Sequence, residues 1–211
     1  MEKKNYKFNV SIFLLSSSLY VSFQLFANIL STKIALLPYL NLAIDGGTLI
    51  YPLTFTLRDF VHKTHGKKDA RQVIMIAAAL NAVMFGLFWL VGKMAPDPTW
   101  QLQGAYEQIL LPVGRIVLAS IVAQVISELV DTEIFSYVYR KISDTSAVFV
   151  SNSISLIIDS FIFSFIAFFG ALPFATVMQI VFTNILVKFL ISALSVPTIK
   201  LIPRTAKFED I

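Results

Sequence analysis

Long apolar runs separated by short polar connections set the pattern of this chain. A helix that crosses a bilayer takes about 20 mostly apolar residues. Six stretches qualify: Val10–Leu30, Ile44–Val61, Val73–Val91, Val113–Val138, Val148–Phe169 and Phe174–Ile199. The second is irregular. It opens on Asp45-Gly46-Gly47, carries Pro52 and closes on Arg58-Asp59, and two glycines followed by a proline weaken helical continuity. The expected fold is therefore an all-α membrane protein of six transmembrane helices. Residues 1–211 form a single integral membrane domain, with the second helix interrupted near Gly46-Gly47/Pro52. The basic start, MEKKNYKFNV, runs into an apolar stretch too long for a signal peptide and reads as a retained first helix.

Polar side chains recur inside these runs at helical spacing. Gln124, Glu128 and Asp131 fall at i, i+4, i+7; Asn152, Ser155 and Asp159 at i, i+3, i+7; Gln24 and Asn28, and Asn184 and Lys188, at i, i+4. A charge in hydrocarbon costs at least about 2.5–3.5 kcal/mol, so such residues usually line a protein-walled cavity. Their alignment predicts a small polar chamber inside the bundle. Asp159 lies deep in SLIIDSFIFSFIAFF and needs a partner, Lys188 or Arg115. Pairing with Asp159 would also satisfy Lys188. A structural ion pair accounts for both residues, and so does a substrate or proton role. Asp45, Arg58, Asp59, Arg115 and Asp131 are candidates for a pathway or for structural ion pairs. Arg58 and Asp59 are adjacent and point in different directions on a helix, so each is expected to pair with another helix. The amides Gln24 and Asn28 equally suit plain interhelical hydrogen bonding.

The connections fix an orientation. Twelve basic residues fall in the two termini and in the segments after the second and fourth spans, whereas the other three connections hold only Lys33 and Lys93. Basic residues gather on the cytoplasmic side, which places both termini there and explains the net charge of +4 without a nucleic-acid partner. Trp100 and Tyr106, in the longest outer connection, are expected at the membrane interface. The 211 residues are 56% hydrophobic and 14% charged, far from the roughly 25% charged of soluble domains.

There is no cysteine, no H-E-x-x-H, no G-x-S-x-G and no P-loop. His62 and His65, in the basic cytoplasmic segment, read as solvated. No catalytic residue, metal or cofactor is assigned, and an intramembrane lipid-modifying enzyme ranks below a transporter.

The segments FANILSTKI, GGTLIYPLTFTLRDFVHKTHGKKDAR, LVDTEIFSYVYRK and SNSISLIIDSFIFSFIAFFG, in this order and spacing, resemble the queuosine precursor transporter family of six-helix bacterial membrane proteins. The resemblance covers roughly Phe26 to Lys188, with departures at Arg58, His62 and Glu128. It implies uptake of 7-cyano- or 7-aminomethyl-7-deazaguanine across the bacterial cytoplasmic (inner) membrane. A guanine-like edge offers two donors to a carboxylate and a carbonyl to an amide or ammonium. The expected substrate-binding residues are thus Asn28, Gln124, Glu128, Asn152, Asp159, Asn184 and Lys188, with Glu128 or Asp159 on the donor edge. An alternative is the substrate-binding subunit of an energy-coupling-factor type vitamin or nucleobase transporter, which requires an ATPase partner. Homo-oligomerisation is open.

Overall fold

The computed structural model describes residues 11–141 and 144–195. Val10, residues 196–199 of the sixth predicted span, both basic termini and the side chains of Glu128 and Glu133 lie outside that description. The first helix, α1 (Ile12–Leu30), is followed by a β-hairpin of β1 (Ile34–Leu36) and β2 (Ala43–Asp45), then a 3-10 turn over Gly46–Leu49. Helices α2 (Tyr51–His65), α3 (Lys67–Gly92), α4 (Gln103–Leu110), α5 (Val113–Lys141), α6 (Asp144–Phe168) and α7 (Phe174–Ser195) complete the order. Among the described residues, four stretches are long and apolar enough to cross a membrane: Ile12–Leu30, Lys67–Gly92, Gln103–Ser127 (α4 running into α5) and Phe174–Ile191. Asn152–Phe168 is a shorter apolar helical stretch.

Burial is inverted relative to a soluble protein. The inward stripe of α1 is Ser16, Tyr20, Gln24, Ala27 and Asn28, while Leu14, Leu15, Phe26 and Leu30 are exposed. The same holds for α7, which buries Thr183, Asn184 and Lys188 and exposes Phe182, Phe189 and Leu190. Lipid tails are as apolar as leucine, so helices associate through small residues and hydrogen bonds rather than by burying large aliphatics. One apolar cluster joins Tyr20 to Leu57, Val61, Val73, Ile74 and Ala77 on α2 and α3; another joins Ala43 to Ile116, Ala119, Ala167, Phe168, Val177 and Ile180.

Where the sequence predicts one interrupted span, the chain makes a strand, a 3-10 turn and a 15-residue helix. Pro52 begins α2 rather than kinking it, because its missing N–H falls where a helix has no partner for one. The two glycines serve a close approach. A Cβ on Gly47 would lie 2.1 Å from Ser31 Oγ and 2.4 Å from the Ala27 carbonyl; one on Gly46 would lie 2.6 Å from the Leu30 carbonyl. Non-helical backbone inside a membrane bundle must find its hydrogen bonds in protein. Here α7 supplies them: Gln179 Oε1 accepts from the Ala43 N–H at 3.2 Å, and Thr183 Oγ1 donates to the Ala43 carbonyl at 2.7 Å. Strand β1 and helix α4 are elements that the hydropathy pattern reads as loop. In the connection between α3 and α4, Thr99 donates to the exposed Asp97 through its hydroxyl and its N–H, which holds that carboxyl below the usual range. Tyr106, edge-on to Trp100, donates to the Phe88 carbonyl and ties α4 to α3.

Candidate functional site

Helices α2, α6 and α7 meet around one ion pair. Lys188 Nζ donates to Asp159 Oδ2 at 2.8 Å, with Asp159 at 1% and Lys188 at 2% exposure. Tyr51, in the first turn of α2, donates its hydroxyl to Asp159 Oδ1 at 3.3 Å. The ammonium also sits over aromatic rings, 4.8 Å from the Tyr51 centroid and 5.8 Å from that of Phe163. The carboxylate and the ring faces attract the ammonium more strongly in a low dielectric than they would in water. One turn before Lys188 along α7, Asn184 Nδ2 points at Ser164 Oγ, 3.4 Å away, and its Oδ1 lies 2.5 Å from Thr48 Oγ1. Ser160 Oγ, one turn from Ser164 on the same face of α6, is fully buried and makes no hydrogen bond. A buried polar atom without a partner is uncommon, and here it stands beside Asp159.

A second polar group lies between α2, α5 and α6. Phe55, Arg58, Ser127, Asp131, Asn152, Ser155 and Leu156 line a cavity of about 10 Å³, room for roughly one water. Ser155 Oγ donates to Asp131 Oδ1 at 3.1 Å. The predicted stripes on the fourth and fifth spans therefore do face each other, through Asp131, Ser155 and Asn152. A heterocycle needs far more space than this cavity offers, so its entry requires the helices to part.

The sequence expectations divide residue by residue. The Asp159–Lys188 pair forms, and Asn184 adjoins it. Arg115 is no partner of Asp159: its Nε donates to the Ile166 carbonyl at 2.6 Å and a terminal nitrogen donates to the Phe169 carbonyl. It caps the C-terminal end of α6, where free carbonyls and the negative end of the helix dipole attract a cation. Replacing Arg115 by Met is expected to lower thermal stability by about 1–3 kcal/mol through the lost charged hydrogen bonds. Transport should change little, which melting and uptake assays on one preparation would check.

Arg58 and Asp59, expected to pair with other helices rather than each other, do pair with each other at 3.2 Å, and Arg58 also faces α5 and α6 across the cavity. The long guanidinium folds back around its own helix, 5.6 Å from the Phe55 centroid. His62 is half-buried with Nε2 unpartnered rather than solvated, whereas His65 is exposed, its Nδ1 2.9 Å from Thr64 Oγ1. Asn28 and Gln124 lie apart from the ion pair. Asn28 donates to Asn81 on α3 at 2.7 Å, and Gln124 and Gln24 both donate to the buried Tyr20 hydroxyl, at 2.6 and 3.3 Å. These amides tie helices together. Asp45 caps the 3-10 turn and accepts from Ser31. The Glu128 side chain is outside the described residues.

Residues that the sequence reading passed over include Tyr20, Tyr51, Thr48, Asn81, Ser160 and Ser164. Tyr20 continues the Gln24–Asn28 stripe by four residues, a signal present in the spacing. Tyr51 and Thr48 follow the broken backbone and obey no helical period.

The sequence matches the family described as "Putative vitamin uptake transporter" over residues 45–202. It is 25% identical over 157 residues to a Bacillus subtilis (strain 168) protein named "Probable queuosine precursor transporter", a match covering 72% of this chain and 68% of that protein. No solved structure matches.

Proposed function

The chain belongs to the "Putative vitamin uptake transporter" family, and on that premise we propose that it imports a queuosine precursor, a 7-deazaguanine carrying a 7-cyano or 7-aminomethyl group. It is a multi-pass membrane transporter and not an enzyme, as its family implies. The name of the Bacillus relative supports the precursor reading. The observation that carries it is the buried Asp159–Lys188 pair, with Tyr51 and Phe163 against it and Asn184 one turn away. A carboxylate takes the paired ring N–H and exocyclic amine of a guanine edge, an ammonium or amide takes its carbonyl, and aromatic rings cover its faces. Within the proposal, six spans cross the bacterial cytoplasmic membrane with both termini inside. The second crossing is made by the hairpin, the 3-10 turn and α2 together. The inner cavity at Asp131 and Asn152 is the exit.

Cells unable to make queuosine, expressing this chain alone, are expected to accumulate labelled 7-deazaguanine precursor and restore queuosine in tRNA. Asp159→Asn should cut uptake by about tenfold or more, since a hydrogen bond to a charged group is worth about 1.5–3 kcal/mol. Uptake no better than an empty vector rejects the proposal. Uptake that appears only with an added ATPase subunit replaces it with the energy-coupling-factor reading.

A further inference from the structure

Asp45 is a second carboxylate inside the bundle, and no cationic side chain answers it. It is 1% exposed. Its oxygens accept from Ser31 Oγ at 2.7 Å, from the Thr48 N–H at 3.2 Å and from Thr48 Oγ1 at 2.8 Å, all neutral donors. Among the described residues it makes no ion pair, whereas Asp159 has Lys188. Among the described residues Lys188 answers Asp159 and no cation answers Asp45, in surroundings where a lone charge is costly.

The oxygens around Asp45 come from three elements: Ser31 at the end of α1, Thr48 in the 3-10 turn and Asn184 on α7. Thr48 Oγ1 stands 2.8 Å from Asp45 Oδ2 and 2.5 Å from Asn184 Oδ1. A hydroxyl has one proton and cannot serve both acceptors, but a cation among the three oxygens can. Turning the Asn184 amide also relieves the conflict: Nδ2 then donates to Thr48 Oγ1 and Oδ1 accepts from the Ser164 hydroxyl, and the sodium response below tells the two arrangements apart. The C-terminal end of α1, the negative end of its dipole, abuts this cluster because Gly47 lets the Ala27 carbonyl and Ser31 Oγ come close.

We propose that Asp45, Ser31, Thr48 and Asn184 form a sodium site. A single carboxylate with neutral oxygens suits a hard monovalent cation, and such sites in transporters use broken backbone and helix C-terminal ends. The described residues contain no cluster of histidines and carboxylates that would favour a transition metal. The cation restores the missing positive charge and fastens the 3-10 turn to α7. Asn184 is one turn from Lys188, and Thr48 is three residues from Tyr51, so ion binding reaches the Asp159 pair along both elements. Only this last coupling rests on the transport reading; the binding site does not.

The test uses the purified full chain and Asp45→Asn, which keeps an acceptor for the Thr48 N–H but removes the charge. Thermal unfolding is followed in sodium chloride and in choline chloride of equal concentration. Sodium is expected to raise the midpoint of the parent protein by several degrees and to leave that of the variant unchanged. Equal midpoints for the parent in the two salts, or a full sodium response in Asp45→Asn, overturn the site. In proteoliposomes an inward sodium gradient should raise precursor uptake severalfold; uptake indifferent to sodium overturns the coupling. A sodium response without any precursor uptake supports the site while rejecting the cargo reading.

Discussion

Asp159→Asn and Lys188→Met, made singly, are each expected to destabilise the protein by about 3–5 kcal/mol, while the double variant regains most of that loss. Removing one partner of a buried pair strands the other as an uncompensated charge, but replacing both leaves nothing stranded. The pair is an unusually severe case because both groups are at or below 2% exposure and sit where neither can reach a headgroup or water. Tyr51 softens the Lys188→Met change, since its hydroxyl still donates to Asp159. In Asp159→Asn the ammonium keeps the amide oxygen and the Tyr51 and Phe163 ring faces but no countercharge. Unfolding midpoints in detergent measure the first part of this expectation, and single variants as stable as the parent would refute it. Uptake measures the second part: the double variant should be folded and inactive. Normal transport by it would assign the pair to scaffolding and move the binding site elsewhere.

Gly47→Ala should be nearly as damaging, for a steric reason. The added methyl would sit 2.1 Å from Ser31 Oγ and 2.4 Å from the Ala27 carbonyl, and the carbonyl cannot retreat without moving α1. Overpacking of this kind costs about 1–3 kcal/mol, here at the upper end because backbone is struck. It also displaces Ser31 from Asp45, so uptake should fall along with stability. Gly86→Ala is the matched control. Gly86 lies inside α3 with nothing within 4 Å of the new methyl, and alanine in a helix interior is better than glycine by about 0.5–1 kcal/mol. The control should melt slightly higher and transport normally. Equal melting of the two alanine variants would show that the 3-10 turn does not press on α1.

These contrasts indicate how far the chain can be read without coordinates. Continuous helices were legible because lipid imposes one rule on every residue of a span; α5 starts at Val113 and α7 at Phe174, both as the hydropathy pattern predicts. The partnership of Asp159 and Lys188 was legible because each is intolerable alone. The stretch from Lys33 to Tyr51 was not. Its strands are three residues each, too short for an alternating pattern, and its hydrogen bonds come from Gln179 and Thr183, far along the chain. Arg115 misled because a lone cation offers no sign of whether it will meet a carboxylate or a row of helix-end carbonyls. The Arg58–Asp59 contact was not legible because the direction of a helical Cβ says little about a flexible guanidinium five bonds away. Gln124 and Asn28 lie on inward faces as expected, but inward faces adjoin several neighbours, and spacing within one helix does not say which.

The narrowness of the gap between Arg58 and Asn152 has an electrical meaning. With space for about one water molecule, it holds no continuous thread of solvent through which ions could hop.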